Sequence, residues 1–263
     1  MDRRLFIKSG LATGALASAG LHLPRHPAAD GRRYYELRTY ELRSDLDPGR
    51  LRSFYRDALM PALGRAGAGT VGLFAPQTGL PSQSLVVLLE YPSLVDVERV
   101  ARQLDEDSAY DAARRSFELA AELPYLRYDS HLMRAFSGHA QVEVPSLAAP
   151  HPGRVFELRT YEARSAAALE RKIAMFNEAE IGLFRRIGMT PVFFGENVFG
   201  PRLPSLTYML VFDDIAARTA AWNTFRAHPD WLRINADPRW SAVGSVSVTN
   251  VAYLGALPFS PVR

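Results

Sequence analysis

Glu36-Leu37-Arg38-Thr39-Tyr40-Glu41 decides the fold, because the same six residues return 121 positions later as Glu157-Leu158-Arg159-Thr160-Tyr161-Glu162. The offset continues without a gap through Gly79 and Gly200 and through Leu89 and Leu210. Self-similarity at a fixed spacing is typical of a repeated structural unit. The 263-residue chain is therefore predicted to contain two copies of one module.

Each module is predicted to follow the order strand, helix, strand, strand, helix, strand. In the first module, Tyr35, Leu37 and Thr39 alternate with the other side chains of their segment, which is typical of a strand. An apolar stripe over residues 51–63 has helical spacing. We also predict strands over residues 70–75, 85–91 and 125–136, and a second helix that begins after Ser93.

The second module repeats this order. Its strands are predicted over residues 155–162, 192–196, 206–212 and 244–254. Its first helix is predicted over residues 166–187, and its second begins at Asp213 or Asp214. The segment His228-Pro229-Asp230-Trp231 is predicted to be a turn that ends this second helix.

The predicted fold class is α+β, with two tandem ferredoxin-like βαββαβ modules. Helices cover one face of the sheet in such a module, so the two uncovered faces can stack and bury a shared interior. The expected boundaries are a signal peptide and leader over residues 1–30, modules over 31–136 and 154–257, a linker over 137–153, and a C-terminal tail over 258–263.

Composition excludes several classes of protein. With 48% hydrophobic and 22% charged residues, the chain can bury a core and is not intrinsically disordered. It has no cysteine, which excludes disulfides, zinc–thiolate sites, iron–sulfur clusters and a cysteine nucleophile. Arg3, Arg4 and Lys8 against Asp2 account for +2 of the net charge of +3. The near-neutral remainder predicts no binding to nucleic acid.

The N-terminus resembles a twin-arginine export signal. Arg3, Arg4, Phe6 and Lys8 precede a weakly apolar stretch, and Ala17-Ser18-Ala19 offers a small-residue cleavage site. The predicted localisation is the periplasm or another exported compartment, with the twin-arginine translocase as a partner during export. No stable membrane anchor is predicted after cleavage. A cytosolic tail or a mitochondrial presequence is the alternative interpretation.

Tyr35-Glu36-Leu37-Arg38-Thr39-Tyr40 at the start of a βαββαβ unit resembles the NIPSNAP family. Further matches lie in the second module, at Phe156-Glu157-Leu158-Arg159-Thr160-Tyr161, Met175-Phe176-Asn177, Phe193-Phe194-Gly195-Glu196 and Leu206-Thr207-Tyr208-Met209-Leu210. The resemblance implies a dimeric α+β barrel in which the two modules act as pseudo-dimer partners. It also implies kinship with cofactor-free monooxygenases, ethyl-tert-butyl-ether-degradation-type proteins and haem-handling enzymes. A shared fold does not fix a function.

The opening strand of each module supplies most of the candidate ligand-binding residues. If Tyr35, Leu37, Phe156 and Leu158 face the helices, the barrel interior receives Glu36, Arg38, Tyr40, Glu157, Arg159 and Tyr161. Charged and phenolic groups of this kind can orient an anionic or phenolic ligand through hydrogen bonds. The alternative interpretation is that each glutamate and arginine only satisfy one another, since a buried ion pair is weak evidence of function.

Asn177, Glu180 and His131 complete the candidate set. Asn177 and Glu180 fall on the apolar face of a helix, where burial would raise the pKa of Glu180 and suit it to general acid–base chemistry. The alternative is a hydrogen bond between modules. His131 lies two residues from Asp129 on one strand face, as a His–carboxylate pair or as a surface residue. No metal site and no cofactor are predicted.

Three classes of function stay open. The first is the binding of a small aromatic or lipophilic molecule in the barrel between the modules, with or without cofactor-free oxygenase or isomerase chemistry. The second is a non-catalytic interaction or binding protein, and the third is haem binding. Whether the protein is an enzyme is undecided at this point. Because the duplication already supplies a pseudo-dimer, a monomer is viable and a homo-oligomer is not excluded.

Overall fold

Eight strands close into a barrel in the computed structural model, which describes residues 31–119, 122–146, 153–240 and 246–263. The strands are β1 Tyr34–Leu42, β2 Val71–Thr78, β3 Ser84–Tyr91, β4 Tyr125–Ala135, β5 Val155–Ala163, β6 Thr190–Phe199, β7 Ser205–Phe212 and β8 Val246–Ala256. They follow one another around the barrel as β1-β3-β2-β8-β5-β7-β6-β4, and all neighbours are antiparallel. The export signal predicted within residues 1–30 lies outside the described residues.

Helices cover the outside of the barrel. They are α1 Gly49–Phe54, α2 Met60–Arg65, α3 Leu94–Glu106, α4 Ser108–Glu118, α5 Ala166–Met175, α6 Ile181–Arg186, α7 Ile215–Ala227 and α8 Pro229–Ala236. The offset of 121 places α3 on α7 and β4 on β8 with identical limits. Strands and helices therefore occur in the same order in the two halves. No described helix is long and apolar enough to cross a membrane.

A π-helical segment joins the two parts of the first long helix in each half. It spans Tyr55–Leu59 between α1 and α2, and Phe176–Glu180 between α5 and α6. The two segments are also related by the offset of 121. Short π-helical segments inside α-helices are often found at functional sites, and apolar periodicity alone does not predict them.

The helices α4 and α8 differ from the prediction. The segment at His228 was predicted to end a helix, but it starts one: the His228 side chain caps α8 by accepting the Asp230 N–H at 3.1 Å. Pro229 fits the first turn, where a backbone N–H is not needed. In the first half, Asp107 caps α4 in the same way by accepting the Tyr110 N–H at 3.0 Å.

The barrel interior is apolar, and it reverses the predicted facing of the opening strands. Both halves contribute to it, with Tyr35, Leu37, Phe74, Val86, Leu88, Met133, Phe156, Leu158, Phe193, Met209, Val211 and Leu254 among its side chains. Tyr40 and Tyr161 instead pack with the helix-facing clusters. The prediction that Tyr35, Leu37, Phe156 and Leu158 face the helices is therefore wrong. Alternation shows which residues share a face, but both faces are buried here, so it cannot say which one points inward.

One end of the barrel is closed by chain segments that follow β4 and β8. Val142 and Val262 are buried in the interior cluster, and the Val142 N–H donates to Glu90 Oε1 at 2.8 Å. His139 is buried beside them and its Nε2 lies 3.1 Å from the Val192 carbonyl oxygen. Residues 137–146 of the predicted linker are therefore packed against the barrel.

Phe193 and Phe199 on β6 test this assignment of interior and surface, since Phe193 is buried and Phe199 is 64% exposed. We expect Phe193→Ala to lower the free energy of unfolding by about 3–5 kcal/mol, because it leaves a cavity in the barrel. Phe199→Ala should change it by no more than about 0.5 kcal/mol. Urea denaturation measures both. Equal losses would contradict the placement of Phe193 in the core.

Candidate functional site

Glu36 and Arg38 of β1 form a bidentate ion pair on the helix-covered face of the first half. Arg38 Nε donates to Glu36 Oε1 at 2.6 Å, and Arg38 Nη2 donates to Glu36 Oε2 at 2.9 Å. The carboxylate also accepts from Ser130 Oγ at 2.8 Å and from the Tyr91 hydroxyl at 3.0 Å. Burial favours a higher pKa for Glu36, but these hydrogen bonds and the arginine charge lower it below its usual value.

A cavity of about 380 Å³ opens beside this pair, between the sheet and the helices of the first half. Apart from the ion pair, its wall is uncharged and mainly aliphatic: Leu59, Leu63, Leu89, Tyr91, Val97, Val100, Ala101, Leu104, Tyr110, Ser130 and Leu132. A mainly apolar wall with a few polar groups at one point is typical of a small-molecule site. Arg38 and Glu36 supply those polar groups.

A smaller cavity of about 150 Å³ is also lined by Arg38 and is rich in tyrosine. The hydroxyls of Tyr40 and Tyr55 lie 2.7 Å apart there, and Tyr55 belongs to the first π-helical segment. Burial raises the pKa of both phenols, so they stay protonated at neutral pH. Arg38, Leu59 and Tyr110 line both cavities.

The equivalent place in the second half is filled by protein side chains. Arg159 Nε donates to Glu157 Oε1 at 2.9 Å, as Arg38 does to Glu36. From α7, Arg218 donates to both oxygens of Glu157 at 2.7 and 3.1 Å, and Trp222 Nε1 donates at 2.6 Å. The Trp222 ring centroid lies 4.0 Å from the Arg159 guanidinium carbon.

Two positions on the covering helix account for this asymmetry. The offset of 121 pairs Val97 with Arg218 and Ala101 with Trp222, so the first half has small side chains where the second has large ones. Trp222 is only 4% exposed, whereas Ala101 is exposed to solvent. In consequence Glu157 is fully buried and Glu36 is half-buried. The first half therefore has an open cavity. In the second half Arg218 and Trp222 fill the equivalent space, and we call these two side chains the plug.

The remaining candidates of the second half take part in structural contacts. Asn177 Oδ1 accepts the Gly138 N–H at 2.9 Å, which ties its helix to the segment between the halves. Glu180 is buried and pairs with Lys172 Nζ at 2.7 Å. The Tyr161 hydroxyl accepts from Arg159 Nη1 at 3.0 Å. For these residues the structure favours mutual satisfaction over ligand binding.

His131 lies apart from the ion pairs, at the open end of the barrel. It lines a cavity of about 400 Å³ together with Asp129, Thr39, Thr160 and Asn250. Burial lowers the pKa of the His131 imidazole. Its Nδ1 is buried without a hydrogen-bond partner, and no hydrogen bond joins it to Asp129, so the predicted His–carboxylate pair is not formed. The structure therefore separates His131 from Glu36 and Arg38.

Neither a metal ion nor haem fits the first-half cavity. Within the described ranges, no group of three or more His, Asp or Glu side chains is placed to hold a metal ion. A haem iron needs an axial His, Cys, Met or Tyr, and the cavity wall offers only Tyr91 and Tyr110. Burial raises the pKa of both phenols, which disfavours the phenolate that would bind iron. Tyr91 also donates its hydroxyl to Glu36.

The relationship to known proteins agrees with the duplicated architecture. The NIPSNAP family model matches residues 35–123 and 156–261, which is most of the chain. The chain belongs to the NIPSNAP family. No curated protein matches it. An uncharacterized NIPSNAP-like domain protein from Burkholderia xenovorans is 18% identical over 42% of this chain and 91% of its own, with a TM-score of 0.37.

Two solved structures resemble this NIPSNAP chain over most of its length. Both are provisionally assigned as monooxygenases, and each is 9% identical with a TM-score of 0.56. The alignment with the protein from Fusobacterium nucleatum covers 86% of this chain and 93% of that protein. The alignment with the protein from Lactobacillus acidophilus covers 86% and 98%. At this identity the likeness shows a shared fold and no more.

The Glu157 network makes the stability of this NIPSNAP protein depend on acid pH. The hydrogen bonds to Glu157 lower its pKa below the ordinary 4.5, although burial alone would raise it. A lowered folded-state pKa contributes stability above the unfolded-state value, and that stability is lost as the pH falls through the folded-state value. Thermal unfolding should therefore shift steeply to lower temperature below about pH 4.5.

Glu157→Gln should flatten this acid dependence, because the amide cannot titrate, while lowering stability at neutral pH. Glu98→Gln is the control, since Glu98 is exposed on α3 and its replacement should leave the slope unchanged. Differential scanning calorimetry from pH 7 to acid measures both. The same slope in wild type and Glu157→Gln would show that other groups dominate the acid dependence.

Proposed function

We propose that this protein binds a small aromatic or lipophilic molecule in the cavity between the sheet and helices of the first half. One observation carries the proposal: the cavity is open at Ala101, where the second half closes the equivalent space with Trp222. The site differs from the predicted one in location, since it lies outside the barrel and not in its interior. Its volume falls within the range of ligand pockets.

The lining residues supply fixed charges and not a titrating group. The pKa of Glu36 is lowered, while the pKa values of Arg38, Tyr91 and Tyr110 are raised. Each keeps one protonation state near neutral pH, whereas a general acid or base works best with a pKa near the working pH. Binding is therefore the function that this geometry supports best. For the oxygenase or isomerase chemistry considered from the sequence, the lining carboxylate of Glu36 is a weak base, because its pKa is lowered and its oxygens already accept four hydrogen bonds.

We also infer that the two halves are tandem ferredoxin-like modules that pair as an intramolecular dimeric α+β barrel. Support comes from the strand order, in which β4-β1-β3-β2 and β8-β5-β7-β6 are equivalent runs. The identical limits of α3 and α7 under the offset agree with it. This arrangement explains how two equivalent sites can diverge within one chain.

Ala101→Trp tests the binding site by giving the first half the tryptophan of the plug. The probe is N-phenyl-1-naphthylamine, a neutral aromatic dye whose emission rises in an apolar site. We expect the wild type to bind it at one site and Ala101→Trp to weaken binding at least about tenfold. Fluorescence titration gives both dissociation constants.

Ala220→Trp is the matched control, because it adds the same side chain at an exposed position of α7. It should bind the dye as the wild type does. The proposal fails if the wild type does not bind the dye, or if the two tryptophan variants bind it equally.

We further propose that the protein is exported in the folded state through the twin-arginine route. The motif Arg3, Arg4, Phe6 and Lys8, followed by a weakly apolar stretch, supports this proposal. Replacing both arginines by lysine keeps the charge, so the variant should stay in the cytoplasm as the uncleaved precursor. Cell fractionation with immunoblotting measures this. Equal periplasmic yields from wild type and variant would rule the route out.

A further inference from the structure

The second half, in which side chains fill the space beside Arg159, indicates which class of molecule fits the first-half cavity beside Arg38. Arg38 and Arg159 share one contact, since each donates its Nε to the glutamate two residues before it. The second donor differs, because Arg38 Nη2 also binds Glu36 whereas Arg159 Nη1 binds the Tyr161 hydroxyl. In the second half the indole of Trp222 lies against the Arg159 guanidinium at 4.0 Å. In the first half the Trp222 position is Ala101, and a cavity lies beside Arg38. The indole of Trp222 therefore shows which kind of group packs against this guanidinium in the second half.

The hydrogen bonds of Glu36 and Glu157 show that a ligand in the first-half cavity need not donate hydrogen bonds to Glu36. Glu157 receives three of its hydrogen bonds from Arg218 and Trp222 on the covering helix. Glu36 obtains the corresponding bonds from Arg38, Ser130 and Tyr91. A carboxylate accepts about four hydrogen bonds, so Glu36 is already satisfied. The Arg38 guanidinium carbon lies 5.8 Å from the ring centroid of Tyr128, which lines the smaller cavity. Toward the larger cavity, Ala101 offers no ring at the position from which Trp222 packs at 4.0 Å against Arg159.

The charge of the cavity decides between neutral and charged ligands. Glu36 and Arg38 neutralise each other, and the other lining side chains are uncharged. An anion would lose hydration and meet the Glu36 carboxylate without an unpaired cation among these lining residues, which is unfavourable. A planar ring against the guanidinium gains a cation–π attraction that an aliphatic molecule of similar size does not.

We propose that the first-half cavity binds a neutral, planar aromatic molecule of about the size of indole, stacked on Arg38 in the place that Trp222 takes on Arg159. This inference rests on the proposed function, because it names the ligand class of the same cavity. It departs from the sequence-based expectation of an anionic or phenolic ligand.

Isothermal titration calorimetry of the full chain with three probes tests the inference: indole, indole-3-carboxylate and cyclooctanol. We expect one indole per chain, bound about tenfold tighter than either of the other two. Ala101→Trp should abolish indole binding, and Ala220→Trp should not. Trp222→Ala removes the ring of the plug, so it should bind a second indole and gain thermal stability from it.

The outcomes separate the inference from the proposed function. If all three probes bind within about threefold of one another and Ala101→Trp blocks them, the binding site stands and the aromatic class is wrong. If indole binds only to Trp222→Ala, the assignment of the first half is overturned. If the wild type binds none of the three probes and does not bind N-phenyl-1-naphthylamine, the proposed binding function and the proposed ligand class are both wrong. If Trp222→Ala does not fold, wild type and Ala101→Trp still decide, because neither alters Trp222.

Discussion

The strands β3 and β7 of this protein are covered on both sides, and that constraint governs where charges beside them can lie. The barrel closes on an apolar interior, and helices cover the outside, so β3 and β7 are buried along their whole length. A carboxylate under such cover is stable only when donors surround it. Glu36 and Glu157 meet this requirement on the outer face, where neighbouring strands and the covering helices bring hydroxyl, guanidinium and indole groups within reach.

The two halves meet this requirement in different ways, and the difference leaves a cavity in the first half. In the second half one donor is Arg159 on β5 and the others are Arg218 and Trp222 on α7, which also fill the space. In the first half the donors come from β1, β3 and β4, so α3 is free to carry small side chains. The cavity is thus a by-product of where the carboxylate finds its partners. The cavity does not disrupt the ion pair, because Glu36 accepts its hydrogen bonds from strand residues and none from α3.

The sequence predicted the order of elements well and the facing of the strands poorly. The doubled hexapeptide identified β1 and β5, and alternation grouped Glu36 with Arg38 correctly. It could not choose the inward face, because Tyr35 and Tyr40 are both large, partly apolar and buried. Arg218 and Trp222 were missed, although the offset that links them to Val97 and Ala101 was already visible. The replacement of Ala101 by Trp222 between the copies predicts a filled cavity only if the helix face that carries these residues is known to cover the ion pair. The π-helical segments have no signature in the apolar pattern.

Covalent duplication has a consequence for the number of ligands. Two identical chains related by a two-fold axis present every site that lies off the axis twice, so each pair of modules offers such sites in even numbers. Joining the copies in one chain removes that rule, and substitutions such as those at residues 101 and 222 can then act on one copy alone. Under the proposed function, the fused barrel would bind one ligand in the first half, while Arg218 and Trp222 fill the equivalent space in the second half. The number of ligands per chain then depends on the residue at one helix position and not on the symmetry of an assembly.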